Sequence, residues 1–265
     1  MTTPTPDSDE SAFRHERLEG TVALVTGASS GIGAATAVAL AVQGAAVALA
    51  ARRKDRLDAV AAAVRELGGT ALVLECDVTD EAQASDAVAR TVAELGRLDT
   101  LVNDAGVMLL GPVIDAPLSE WKQMVELNIL GLLYCTHAAL PHLLDAAESD
   151  PRHVADIVNI SSVAGRFARN GNAVYSLTKF GVGAFSESLR QEITKRYVRV
   201  SLVEPGATST ELSSHNRPEI LAAIRSQFGQ TMEADDIADA IAYIVSRRRE
   251  VTVNEILIRP TEQER

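Results

Sequence analysis

Short apolar runs rich in β-branched residues alternate along this chain with longer stretches whose apolar positions recur every three or four residues. The first pattern predicts strands over residues 21–25, 45–50, 71–75, 98–102, 153–160, 198–203 and 254–258. The second predicts helices over about 31–43, 55–67, 80–95, 117–147, 173–195 and 235–246. Thr79 or Asp80 is placed to cap the third helix and Ser119 the fourth, within which Pro141 is a place for a kink. Such alternation of strand and helix calls for an α/β fold with a parallel sheet and right-handed crossovers. No internal repeat or interdomain linker interrupts it. Residues 1–17 are polar and read as a disordered extension to a single domain over 18–265, while about 208–230, polar and without a strand pattern, reads as a mobile lid.

Composition narrows the class. Hydrophobic residues make up 46% of the 265 positions and aromatics only 4%, which suits helices laid on a sheet better than a β-sandwich. A formal charge of −11 argues against a general phosphate-backbone binder, yet the local cluster Arg52-Arg53-Lys54 can still hold one anion. Cys76 and Cys135 form neither a ligand cluster nor a disulfide framework, and buried thiols in a reducing compartment are expected. His137 and His142 have no partner at ligand spacing, so no metal site is expected. No run of about 18 apolar residues and no apolar leader is present, so a cytoplasmic protein without a membrane span is expected.

Two stretches carry chemistry. The first strand leads directly into Thr26-Gly-Ala-Ser-Ser-Gly-Ile-Gly33 and then an Ala-rich helix. Strand, glycine turn and helix together are the setting of a dinucleotide cradle, in which backbone approaches the pyrophosphate and a helix N-terminus faces it. Glycines here are spaced Gly27, Gly31, Gly33. At the end of the second strand Ala51 stands where a carboxylate would accept from a ribose hydroxyl, and Arg52 and Arg53 follow. Guanidinium groups in that place predict NADP(H); surface arginines opening the next helix would leave NAD(H) as the alternative. Asp77, at the end of the third strand, suits either an adenine amine or a turn.

The second stretch is Asn159-Ile-Ser-Ser-Val-Ala-Gly165 followed by Tyr175-Ser-Leu-Thr-Lys179. Tyr175 and Lys179 share a helical face, and a neighbouring ammonium lowers a phenol pKa by stabilising the phenolate. A serine hydroxyl aimed at the same point could polarise a carbonyl oxygen. Asn128 lies among Leu127, Ile129 and Leu130, where an amide needs a partner.

Taken together, Thr26-Gly27-x-x-x-Gly31-x-Gly33, Asn103-x-Ala105-Gly106, Asn128, Ser162, Tyr175-x-x-x-Lys179 and Pro205-Gly206 resemble the short-chain dehydrogenase/reductase family over about residues 18–260. The resemblance implies a single-domain Rossmann fold with a doubly wound seven-stranded parallel sheet, and a homotetramer or homodimer. It implies Tyr175 as general acid/base, Lys179 as the residue that lowers its pKa and holds the nicotinamide ribose, Ser162 as the group orienting substrate, and Asn128 as support for a proton-relay water. For the cofactor it implies Gly27, Ser29, Ser30, Gly31, Ile32 and Gly33 around the pyrophosphate and Arg52 with Arg53 at the 2′-phosphate. Asp77 and Val78 would meet the adenine, Asn103, Ala105 and Gly106 the adenosine side, and Pro205, Gly206, Thr208 and Thr210 the carboxamide and phosphates. Asp104 departs from the pattern, since the family has a second asparagine there. Several segments are most similar to the clavulanic-acid dehydrogenase and serine (3-hydroxy acid) dehydrogenase subgroup.

The expected function is therefore NADP(H)-dependent interconversion of a carbonyl and an alcohol in a small-molecule substrate, without nucleic-acid or membrane partners. A non-catalytic NADP(H)-binding regulator is the competing class, opposed by the joint presence of Ser162, Tyr175 and Lys179. Leu109, Leu110, Phe167, Arg169 and the lid are the expected determinants of substrate.

Overall fold

The computed structural model describes residues 17–149, 151–227 and 230–264. Residues 1–16, which include most of the expected N-terminal extension, lie outside the described residues, as do Phe228 and Gly229 of the expected lid.

Seven strands pair in parallel in the order β3-β2-β1-β4-β5-β6-β7. They are β1 Val22–Thr26, β2 Ala46–Ala51, β3 Ala71–Glu75, β4 Thr100–Asn103, β5 Ala155–Ile160, β6 Val198–Pro205 and β7 Glu255–Ile258. The central strands are buried on both faces and mostly apolar, and their apolar side chains divide between two layers. Ala23, Val25, Val47 and Leu49 point to the layer formed by helices α1 Gly31–Val42, α2 Lys54–Glu66 and α8 Ala234–Val245. Leu24, Ala48 and Ala50 point to the opposite layer of α3 Glu81–Leu95, α5 Leu132–Ala147 and α6 Ala173–Ile193. Strand order reverses between β1 and β4, and in doubly wound sheets the crevice at the carboxyl ends of such a pair is where ligands bind.

Expected and observed elements agree to within a few residues except in two places. The fourth helix begins at Leu118 (α4, Leu118–Val125), with Pro117 at the flanking position and no side-chain cap. Pro117 presets the backbone there, so Ser119 falls inside the first turn instead of capping it. The helix continues through a π turn, Glu126–Gly131, into α5, and Pro141 sits inside α5 without ending it. By length and composition the span Leu118–Ala147 could cross a membrane, but its inward face, including Cys135, Ala139 and Leu143, packs into the core.

The second difference lies in the lid. Where the pattern shows only a polar stretch without a strand, the chain forms a 3-10 turn over Glu211–His215 and a helix, α7 Pro218–Gln227. Pro218 opens α7, where its missing N–H and fixed φ suit a first helical residue. Buried Asn216 fastens this segment to the loop after β4, accepting from Leu110 N at 2.7 Å and donating to Met108 O at 2.7 Å.

Candidate active site

The carboxyl ends of β1, β2, β4, β5 and β6 open into one cavity of about 630 Å³. Its walls hold Gly27, Ser29, Ser30, Gly31, Ile32, Arg52, Arg53, Asp77, Val78, Ala105, Gly106, Ser162, Tyr175, Lys179, Pro205, Gly206, Thr208 and Thr210. A continuous trough thus joins the glycine turn to the tyrosine. Three expected site residues stand behind the wall instead, namely Gly33, Asn103 and Asn128.

The glycine turn is built by close approach. At Gly27, with φ +70°, a Cβ would stand 2.9 Å from Ala105 N. At Gly33 it would stand 2.7 Å from both Gly27 O and an Asp104 carboxylate oxygen. Thr26 Oγ1 ties this turn to the loop after β4, accepting from the N–H groups of Asp104 and Ala105 at 3.1 and 3.2 Å. The Asn103 side chain, expected at the adenosine side, faces the core. There its Nδ2 donates to Thr136 Oγ1 at 3.0 Å and Asn159 Oδ1 at 2.9 Å. Alternation along β4 dictates that direction.

At the far end of the trough, Asp77 holds its own turn, accepting from Thr79 N at 3.0 Å and Thr79 Oγ1 at 2.8 Å. Asp80, not Thr79, caps α3 by accepting from Ala82 N and Gln83 N. Arg53 lies over the glycine turn, donating to Ser29 Oγ through Nε and Nη2 and to Ser30 Oγ through Nη2 at 2.7 Å. Its Nη1 donates to Glu211 at 2.7 Å, and Arg56 donates to the other oxygen of the same carboxylate. Arg52 lines the cavity with no side-chain hydrogen bond among the described residues.

At the chemical end the two adjacent serines separate by role. Ser161 Oγ donates to Lys179 O at 3.1 Å, pinning the loop after β5 to α6, and Gly165 allows that approach because a Cβ there would meet Ser161 Oγ at 2.6 Å. Ser162 Oγ accepts from Ala164 N at 3.1 Å, and its hydroxyl stands near enough to the Tyr175 phenol to favour the phenolate. Burial pushes the Tyr175 pKa up to about 12; the Ser162 hydroxyl opposes that rise and the Asp104 charge adds to it. Lys179 donates to Ile160 O at 2.8 Å and lies 5.8 Å from the centre of the Tyr175 ring. Burial pushes its ammonium down to about 8, against the pull of Asp104.

Asp104 stands between the glycine turn, where its carboxylate lies against Gly33, and the Lys179 ammonium. Burial raises its carboxyl to about 7, while Lys179 and the Gly33 N–H favour the ionised form. The sequence marks Asp104 as a departure but carries no sign that it faces Lys179. Nor does it reveal Glu211 or Gln263, the latter lining the cavity and accepting from Ala207 N at 2.8 Å. Leu110, Phe167 and Arg169 line the cavity as expected, whereas Leu109 turns into a small core with Met124 and Tyr175. Cys76 and Cys135 are free buried thiols with pKa raised by burial to about 11 and about 12. No cluster of three metal-ligating side chains occurs among the described residues.

Residues 21–220 match the short chain dehydrogenase family. The glycine betaine reductase ATRR of Emericella nidulans is 38% identical over 93% of this chain, which spans only 19% of that protein. An uncharacterised oxidoreductase of Staphylococcus epidermidis is 34% identical over 92% of this chain and 99% of its own length. Among solved structures, the closed form of serine dehydrogenase complexed with NADP⁺ superposes with a TM-score of 0.83 at 30% identity, covering 92% of this chain and 97% of that one. The family match over residues 21–220, with a relative 34% identical along nearly its whole length, makes the chain a member of the short-chain dehydrogenase/reductase family of oxidoreductases.

Proposed function

We propose that the protein interconverts a carbonyl and an alcohol using NADP(H), with Tyr175 moving the proton. The observation that carries this reading is that Ser162, Tyr175 and Lys179 open into the same cavity as the glycine turn and Arg52. The cavity suits a dinucleotide: added Cβ atoms at Gly27 and Gly31 would fill the turn, and the end of β2 offers guanidinium groups in place of a carboxylate. Gly27, Ser29, Ser30, Gly31 and Ile32 would hold the pyrophosphate, Arg52 and Arg53 the 2′-phosphate, Asp77 and Val78 the adenine, and Lys179 with Thr208 and Thr210 the nicotinamide side. The bound cofactor supplies or accepts hydride.

The protein's own contribution is positional and electrostatic. Ser162 orients the substrate oxygen beside the phenol. Tyr175, whose high pKa keeps it protonated, gives its proton to an oxygen gaining negative charge, and in the reverse direction recovers it. The Lys179 cation, at one end of this arrangement, stabilises phenolate and alkoxide alike. Asn128 holds the loop after β4 and stands behind Lys179 in support of a proton path.

Serine dehydrogenase in complex with NADP⁺ supports the cofactor assignment by similarity. The test is steady-state oxidation of NADPH and NADH over a panel of aldehydes, ketones and quinones, and reduction of NADP⁺ and NAD⁺ with hydroxy acids. Turnover with kcat/KM favouring NADPH is expected. A clear NADH preference overturns the cofactor assignment, and binding without turnover overturns the catalytic one.

We assign the protein to a reducing cytoplasm, which suits its two buried thiols, and to a homotetramer or homodimer. Adjacent helices α4 and α6 expose Leu118 at 72% and Leu177 at 65% with Phe180 at 45%, an apolar face suited to self-association. Light scattering that returns a monomer would remove that assignment.

A further inference from the structure

Glu211 opens the 3-10 turn that borders the cavity, and its carboxylate pairs with Arg53, just beyond β2, and with Arg56 in the first turn of α2. One oxygen takes Arg53 Nη1 at 2.7 Å and the other takes Arg56 Nη1. Those two guanidinium groups hold its carboxyl down at about 2, so the charge is present at every working pH. Arg53 also hydrogen-bonds Ser29 and Ser30 of the glycine turn, so one side chain links lid, turn and the 2′-phosphate end of the cavity.

The rest of the lid's seating is uneven. Asn216 anchors its far side to Met108 and Leu110. On the near side, Ser209, Thr210, Glu211, Ser213, Ser214 and Leu221 line a second, open depression of about 580 Å³ beside Ser30 and Gly31, so packing there is not continuous. At this near edge the Glu211 carboxylate bridges to Arg53 and Arg56.

A carboxylate and a phosphate oxygen compete for the same guanidinium donors. We propose that Glu211 is a latch that occupies Arg53 and Arg56 in place of the cofactor's 2′-phosphate, so that a 2′-phosphate displaces it and frees the near edge of the lid. This rests on the NADP(H) reading and adds to it a residue that sets cofactor affinity and ties it to lid movement. Arg52, uncommitted, is the first cation available to the incoming phosphate; Arg53 follows once Glu211 leaves.

The test uses adenosine 2′,5′-bisphosphate, which carries the 2′-phosphate but no nicotinamide, beside adenosine 5′-monophosphate, which carries neither. Calorimetric affinities are measured for the full-length protein and for Glu211→Gln. Glu94→Gln serves as a control that removes the same charge from the last turn of α3, where it pairs with Arg90. Two half-exposed ion pairs limit the effect, so Glu211→Gln is expected to tighten the bisphosphate about three- to tenfold while leaving the monophosphate within twofold. Amide hydrogen exchange across residues 211–227 is expected to rise when the bisphosphate binds the unaltered protein, and to be raised in Glu211→Gln before any ligand is added. Unchanged or weaker bisphosphate affinity in Glu211→Gln, or exchange that does not rise, overturns the latch. Should the unaltered protein bind bisphosphate no better than monophosphate, the NADP(H) reading fails and the latch with it.

Discussion

Asn128 grips the backbone of Val107 from both sides, its Oδ1 accepting from Val107 N at 2.8 Å and its Nδ2 donating to Val107 O at 2.9 Å. The same amide donates to Thr178 Oγ1 at 3.2 Å, one residue before Lys179. A π turn places the residue there, and such turns recur at functional sites because they re-aim side chains. Removing the amide strands a buried N–H and a buried carbonyl. Asn128→Ala is expected to cost about 2–4 kcal/mol in urea unfolding. Asn128→Asp should cost at least as much, since a carboxylate would face the Val107 carbonyl.

Asp104 gives the protein a distinctive pH dependence. Its carboxyl is raised to about 7 in the folded chain, against about 3.9 when unfolded. The folded state therefore holds a proton that the unfolded state has lost. That stabilisation is complete below about pH 4 and disappears as pH rises through 7. Asp104→Asn should match the unaltered protein near pH 4 and gain on it by about 2 kcal/mol between pH 5 and 7.5. Denaturant midpoints at those pH values check it; a constant difference would mean that Asp104 is ionised throughout.

Arg166 follows the 3-10 turn Val163–Gly165 that Ser162 caps, and it grips Glu204, which is only 1% exposed, at 2.7 and 2.9 Å. It also bonds Glu255 on β7, and these carboxylates raise its pKa further. Arg166→Met leaves Glu204 buried and unpaired at a cost of about 2 kcal/mol. Because the turn carrying Ser162 loses its fastening, kcat should fall more than cofactor affinity. Rescue of stability but not of kcat by adding Glu204→Gln would confirm that positioning role.

Arg52→Ala and Arg53→Ala should each lower the ratio of kcat/KM for NADPH over NADH by about tenfold, the worth of one charge-assisted contact. Equal loss with both cofactors would place these side chains elsewhere in binding.

Much of this arrangement is legible in the chain because it is local. The i, i+4 spacing of Tyr175 and Lys179 places both on one face of a helix, and the alternation of short apolar runs with helical stretches calls for the parallel sheet. What stays hidden depends on pairs distant in sequence. Glu211 meets Arg53 across 158 residues, and Asp104 meets Lys179 only because β4 and β5 are neighbours. Asn103 illustrates the opposite case: strand alternation puts it in the core, yet a motif alone assigns it to the cavity. The lid helix was within reach of the pattern, since Pro218-Glu219-Ile220-Leu221 is a helix start, but the polar residues before it mask the signal.

The central claim is that Tyr175 moves the proton in a carbonyl/alcohol interconversion. Tyr175→Phe keeps the ring and its burial and removes only the hydroxyl, so its kcat with NADPH and an accepted carbonyl substrate is the most direct measurement. A loss of about 10²–10⁴-fold, with NADPH affinity within a few-fold of the unaltered protein, is predicted. Turnover that survives the substitution intact would contradict the account.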